Sequence, residues 1–335
     1  MNKKINLIAE TAWHHDGDLN FFKKLVTDTS EKTDADFVKF HITLDLDEYM
    51  YMDHSAYKWA QERIFTENEW SEILNIPPAH NKKLMLLFND KKAIDFGMRY
   101  NPELVEIHSV CLNDINLLIH LNERITKKTK VVLGIGGSDL SEVENSIKYF
   151  NSDNIVLMHG FQNFPTSYKD INFGKISRII QLFQQFEHGY ADHTEWSYEH
   201  NILITLIGAA LGVKYLEKHI TNVPGQERTD WQSAISIEMF QDLSIKLDVV
   251  SDALGDRSSG LNLAEKSCST YGINKKAAIL IKPVTKGDML TEDCFRYKRT
   301  SQMSDLSQIK IIERLGNKFT RSLEPGHCIL TSDIE

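Results

Sequence analysis

Short apolar runs of strand length alternate along this chain with amphipathic stretches of helix length. The strand-like runs fall at 5–10, 36–42, 84–88, 104–109, 130–135, 154–160, 188–192 and 214–220. The helical period predicts helices between them, over 19–31, 114–122, 140–150, 171–186 and 198–211. The strand runs are apolar on both faces, as in a parallel sheet covered by helices on each side. A doubly wound open sheet has the same periodicity. Eight strand–helix units in about 220 residues fit one closed (β/α)8 TIM barrel, and the polar residues at the strand ends favour it.

The stretch 43–81, between the second and third strands, is longer than a plain crossover. It is rich in Tyr, Met, His and Trp, and reads either as a cover over the barrel mouth or as a loosely packed surface excursion. A closing helix is predicted over 237–254, and 256–272 has the small, polar composition of a linker. Beyond it come a β-like run at 277–281 and two turn signals, Lys286-Gly287-Asp288 and Glu324-Pro325-Gly326-His327. The predicted organisation is a barrel over 1–255, a linker over 256–272 and a small mixed domain over 273–335.

Composition narrows the class without changing the fold. The 335 residues are 41% hydrophobic and 25% charged, ordinary for a soluble globular protein. A net charge of −9 argues against a nucleic-acid partner, though a few local lysines still suffice for a phosphorylated small molecule. Cys111, Cys268, Cys294 and Cys328 show no CxxC spacing and read as reduced thiols of a cytoplasmic protein. The start lacks a signal-peptide pattern, and no apolar run reaches the roughly 18–20 residues that span a bilayer. No membrane partner is expected.

In a barrel, chemistry sits where the strands end. Those ends read Glu10, Lys39 with His41, Asn89 with Asp90, Ser109, the glycine run 134–137, His159, Asp192 with His193, and His219. His193 and His219 close neighbouring strands, and a pair of imidazoles suits Mn, Fe, Co or Zn better than Mg or Ca. Asp192 and Glu217 stand beside them as supporting partners or substrate contacts. The competing reading is two hydrogen-bonded rim histidines. Lys39 lies inside an apolar strand, where an ammonium needs an anion. Glu10 is one candidate, a substrate carboxylate or phosphate another, and a Schiff base a third. The run Gly134-Ile135-Gly136-Gly137-Ser138 lets backbone N–H groups approach a phosphate, although a tight turn needs the same residues.

The same positions carry a family likeness. Ile8-Ala9-Glu10 with His14-His15-Asp16-Gly17-Asp18-Leu19, and Ala35-Asp36-Phe37-Val38-Lys39-Phe40, resemble the IAE…NHNGDL and ADAVKFQ segments of the sialic acid synthase (nonulosonic acid synthase) family. Gly189-Tyr190-Ala191-Asp192-His193-Thr194 is similar to GYSDHT, and Leu216-Glu217-Lys218-His219-Ile220-Thr221 to IEKHFT. Residues 283–290, Leu315-Gly316 and Glu324-Pro325-Gly326-His327 resemble that family's antifreeze-like (SAF) domain.

The resemblance implies metal-dependent condensation of phosphoenolpyruvate with an aldose such as N-acetylmannosamine, giving a sialic-acid-like 3-deoxy-2-ulosonic acid and phosphate. It implies Mn²⁺ on His193 and His219, and catalytic roles for Glu10, Lys39, Asp192 and Glu217. Ser109, Lys130, Gln162, Asp230 and Arg299 are the implied substrate contacts, Arg299 crossing to the partner subunit of a domain-swapped homodimer. The chain also departs from the pattern. Where the family reads KIxSxE, it reads Glu106-Ile107-His108-Ser109-Val110-Cys111, so a phosphate-contacting lysine becomes Glu106 and a catalytic glutamate becomes Cys111. Three expectations follow: a divergent synthase, a barrel lyase or aldolase that does not use phosphoenolpyruvate, and a non-catalytic sugar- or partner-binding homologue.

Overall fold

A computed structural model describes residues 5–160, 163–256 and 258–335. The chain forms two compact units, Met1–Asp256 and Arg257–Glu335.

In the first unit eight parallel strands follow chain order: β1 (Asn6–Glu10), β2 (Phe37–Ile42), β3 (Lys83–Phe88), β4 (Leu104–Ile107), β5 (Lys130–Gly134), β6 (Ile155–His159), β7 (Glu187–Asp192) and β8 (Tyr215–Thr221). β1 also pairs with β8, Asn6 opposite Tyr215 and Glu10 opposite His219. That pairing closes the sheet, so the fold is the barrel and not the open sheet. A two-residue β9 (Ile235–Ser236) adds to β8 outside the ring.

Because strand side chains alternate, each strand serves two cores. Outward residues such as Val38, Leu86, Val105 and Leu157 pack under helices, and Leu216 and Ile220 do the same on the opposite side. Inward residues Ile8, Phe37, Met85, Leu104, Val132, Val156 and Tyr215 fill the barrel floor. Carboxylate caps start several helices within a few residues of a strand end. Asp18 Oδ1 accepts from Phe21 N for the helix Leu19–Lys32, and Asp139 forms a capping box with Glu142 for Leu140–Ile147.

The stretch 43–81 is neither of the expected alternatives. It folds into the short helices Leu46–Tyr49, Tyr57–Gln61, Glu67–Leu74 and Ile76–Ala79. Phe65, Trp70, Ile73 and Leu74 join Phe22 and Phe40 in the outer core. The aromatic residues thicken the wall, and none of the stretch lines the main cavity described below.

The second unit pairs β10 (Ala277–Leu280) antiparallel with β11 (Phe295–Lys298) over a core that includes Leu290, Phe319 and Ile329. Gly287 and Gly326 take the left-handed conformation at the two expected turns. The expected linker 256–272 carries a helix, Leu263–Ser267, capped by Asn262 and Glu265. No helix among the described residues is long and apolar enough to cross a membrane.

Candidate active site

Three strands share one arrangement along their inward faces. β2 presents Phe37, Lys39 and His41; β4 and the residue after it present Leu104, Glu106 and His108; β8 presents Tyr215, Glu217 and His219. Spacing by two residues keeps each trio on one face. The barrel interior is therefore layered, with an apolar floor, then an ionic layer, then a rim of histidines at the C-terminal strand ends. A cavity of about 260 Å³ opens above the floor and is lined by the upper two layers together with Glu10, Ser109, His193 and Asp230.

The ionic layer is unbalanced. Lys39 Nζ lies 2.7 Å from Glu10 Oε2, 2.8 Å from Glu106 Oε2 and 2.9 Å from Glu217 Oε1, with all four residues buried. Glu10 Oε1 also accepts from Ala12 N at 2.7 Å and stands 3.4 Å from His41 Nε2. Burial would raise Glu10, but Lys39 and His41 hold it well below the usual carboxylate range. Burial would lower Lys39, and the three carboxylates hold it well above the usual amine range. Burial raises Glu106 against the pull of Lys39, and pushes Glu217 up to about 8. Three carboxylates cannot all ionise cheaply around one ammonium in a dry interior. Burial and mutual repulsion thus favour the protonated forms of Glu106 and Glu217, and the cluster titrates as a unit. Glu217 Oε2 has no hydrogen-bond partner among the described residues.

Three histidines at the cavity mouth are held in the neutral form. Burial holds His108 down to about 3, His193 to about 4 and His219 well below its usual value. The His193 and His219 rings stand 5.1 Å apart between centroids, with Phe164 edge-on to both. His193 Nδ1 is buried without a hydrogen-bond partner. Two neutral imidazoles with a free buried nitrogen fit a divalent transition metal. Among the described residues no third His, Cys, Asp or Glu joins them in a metal-type cluster, so water and substrate would supply the other ligands. Asp230, in the left-handed conformation, is pushed up to about 6 by burial.

Seven of the residues expected from sequence meet in this cavity: Glu10, Lys39, Ser109, His193, Glu217, His219 and Asp230. Asp192 does not. It points to the outer face of β7, where it accepts from Lys218 Nζ at 2.7 Å, Thr194 N at 2.9 Å and Thr205 Oγ1 at 2.5 Å. Strand alternation sends it outward while His193, one residue on, turns in. Lys130 does not reach the cavity either. It opens β5 at the N-terminal end and pairs with Glu187 at the start of β7, the opposite end of the barrel. Gln162 lies outside the described residues. Arg299 is exposed in the second unit and donates from Nε to Ile273 O at 2.9 Å.

Cys111 is buried in the outer core and its thiol is pushed up to about 12 by burial, so it offers the cavity no acid. Glu106 faces Lys39 instead of a ligand phosphate. His108 escaped the sequence reading as a site residue, and Glu106 was read only as a lost phosphate contact, although the trio 104, 106 and 108 repeats the apolar, charged, histidine spacing of 37, 39 and 41 and of 215, 217 and 219.

A closed parallel barrel with its polar cavity at the C-terminal strand ends has the layout in which barrel enzymes hold their active sites. The model of the NeuB family matches residues 26–259, and the chain belongs to that family. It is 25% identical to N,N'-diacetyllegionaminic acid synthase of Campylobacter jejuni across 98% of this chain and 99% of that one. Human N-acetylneuraminate-9-phosphate synthase is 23% identical across 98% of this chain and 92% of its own length. Among solved structures, the N-acetylneuraminic acid (sialic acid) synthetase of Leptospira borgpetersenii, in complex with citrate, superimposes with a TM-score of 0.71 at 22% identity, covering 79% of this chain and 90% of that one.

Proposed function

We propose that the protein is a metal-dependent synthase that joins phosphoenolpyruvate to an open-chain aldose of the N-acetylmannosamine kind, giving a sialic-acid-like 3-deoxy-2-ulosonic acid and phosphate. The observation that carries this reading is the convergence of Lys39, His193 and His219 in one barrel-end cavity of a NeuB-family chain. In the reaction, C3 of phosphoenolpyruvate bonds to the aldehyde carbon, water adds at C2 and phosphate leaves. The aldehyde oxygen gains a proton and the water loses one.

The residues divide this work by charge. Lys39, engaged by Glu10, Glu106 and Glu217, supplies positive charge below the donor carboxylate, and Ser109 at the end of β4 offers it a hydroxyl. Glu106 and Glu217, both raised by burial, exchange protons with the aldehyde oxygen and the incoming water. Asp230 accepts from sugar hydroxyls. His193 and His219 would hold the metal, Mn²⁺ in this reading, which supplies Lewis acidity toward the aldehyde. Arg299 completes the sugar site across a domain-swapped homodimer.

Purified protein with Mn²⁺, phosphoenolpyruvate and a panel of aldoses that includes N-acetylmannosamine should release phosphate. No release with any aldose sinks the proposal. His193→Ala and His219→Ala should each abolish stoichiometric Mn²⁺ binding, read by metal analysis after gel filtration. Sedimentation of the full chain tests the dimer.

One observation favours a second reading. Lys39 is already outnumbered by Glu10, Glu106 and Glu217, which disfavours a further phosphate nearby. A lyase or aldolase acting on an unphosphorylated 2-oxo acid fits that charge better. Turnover of pyruvate with an aldose, without phosphate release, would select it.

A further inference from the structure

A second cavity, of about 170 Å³, lies behind the strand ends of β6 and β7. It shares Gly136, His159, Gly160, Ala191 and His193 with the main cavity. The connecting edge is built of small residues. A Cβ on Gly160 would lie 2.9 Å from Ala191 O and 3.2 Å from Ala191 Cβ. Its other walls are mostly apolar, with Ile171, Ile176 and Ile179 among them. Since a water molecule occupies roughly 30 Å³ of liquid, the space holds a substituent of several heavy atoms.

His159 is the polar residue common to both cavities whose protonation the geometry fixes. His188 Nε2 lies 3.1 Å from Phe183 O, and a carbonyl only accepts, so Nε2 carries the hydrogen. Both rings are buried, and burial lowers each below its usual value, His159 to about 3. A neutral His188 then has a bare Nδ1. His159 Nε2, 3.0 Å away, must donate to it. The remaining nitrogen of His159, Nδ1, is left as a lone-pair acceptor, and no donor among the described residues reaches it. The chain of bonds runs from the cavity to a backbone carbonyl without a charged group in it. Lys175 and Asp170, of opposite sign, also line the space and leave it without net charge.

We propose that this side cavity is a specificity subsite for an uncharged hydrogen-bond-donating substituent of the substrate, a hydroxyl or an amide N–H, received by His159 Nδ1 and oriented by His188. A bare imidazole nitrogen offers an anion no proton and repels it, so phosphate and carboxylate groups are refused. His188 is a positioning residue, acting through the tautomer of His159. The identity of the substituent rests on the sugar-synthase reading, whereas the tautomer does not.

Two-bond ¹H–¹⁵N NMR of the full chain labelled at histidine tests both parts. At neutral pH, His159 and His188 should each appear as the neutral Nε2–H form. An Nδ1–H or imidazolium His159 overturns the proposal. N-acetylmannosamine should shift the His159 Nδ1 resonance while inorganic phosphate leaves it in place; silence from the sugar, or an equal response to phosphate, also overturns it. His188→Leu should mix the His159 tautomers and raise the sugar KM about tenfold with kcat little changed, the size of one lost hydrogen bond. His188→Asn, whose amide can accept from His159 and donate to Phe183 O, should restore the single tautomer and the KM. An unchanged tautomer in His188→Leu overturns the positioning role. If no aldose is turned over at all, the synthase reading fails while the tautomer and the two probe titrations remain readable.

Discussion

Two buried ion clusters sit back to back on β8, one residue apart in sequence. Glu217 faces into the barrel and Lys218 faces out, so each belongs to a different cluster. The outer one is balanced: Lys218 and Asp192 are both fully buried, and Asp192 has three further donor contacts from Thr194 and Thr205. The inner one sets three carboxylates against Lys39 and leaves Glu217 Oε2 without a hydrogen-bond partner among the described residues. A balanced pair closes its own electrostatics and can be exchanged for apolar packing. An unbalanced one retains a proton and an open oxygen, and that is a property a reaction can use.

The largest effect that comparison predicts is at Lys39. Lys39→Met strands three buried carboxylates and should lower unfolding free energy by about 3–5 kcal/mol in urea at neutral pH. The deficit should shrink on acidification, because protonating the carboxyls removes the repulsion. A deficit that is the same at pH 5 and pH 8 would break the assignment. In the outer pair, Asp192→Leu alone should cost about 3 kcal/mol, while Asp192→Leu with Lys218→Met should return to within about 1–2 kcal/mol of the parent. A double variant as unstable as the single one would mean the outer pair is not self-contained.

A smaller effect comes from the proton itself. Glu217 rises from the ordinary range near 4.5 to about 8, so the folded chain holds a proton that the unfolded chain has released. Stability linked to a raised carboxyl is present at low pH and lost as pH climbs toward the folded value. Between about pH 6 and 8 the parent should therefore lose about 2 kcal/mol, and Glu217→Gln should flatten that slope. Glu10, held low, acts in the opposite sense, but only at the acid end of the range. A slope that survives in Glu217→Gln places the raised carboxyl elsewhere.

Much of this was legible in the chain. The eight strands fall within two residues of their expected bounds because buried parallel strands are continuous apolar runs. The helix Ile237–Leu254 begins and ends where its pattern does. His193, His219 and Lys39 stood out as polar residues at the ends of such runs. Facing direction was harder to read. Asp192 borders His193 in sequence yet turns away from it, and Lys130 sits at the wrong end of a correctly placed strand. Glu106 looked like a lost phosphate contact, since nothing local says that Lys39, on a strand two places away in the ring, would meet it across the barrel. The excursion 43–81 misled for a different reason: its aromatics suit a mouth cover as well as a wall, and only tertiary packing decides.

The smallest effect separates burial from charge as the source of these differences. Lys246 and Asp242 form an i,i+4 pair at 2.5 Å on the helix Ile237–Leu254, with side chains 52% and 48% exposed. Its contact is shorter than any of those around Lys39, so a tally of ion pairs would rank it equal or better. Water screens it, and holding both side chains costs entropy. Lys246→Ala should change stability by no more than about 0.5 kcal/mol, and 1 M salt should erase even that, because the screening length falls to about 3 Å. The cost of Lys39→Met should hardly respond to the same salt, since ions do not reach the barrel interior. If Lys246→Ala costs more than about 1 kcal/mol, or if salt rescues Lys39→Met, then overall charge and not local desolvation governs both clusters.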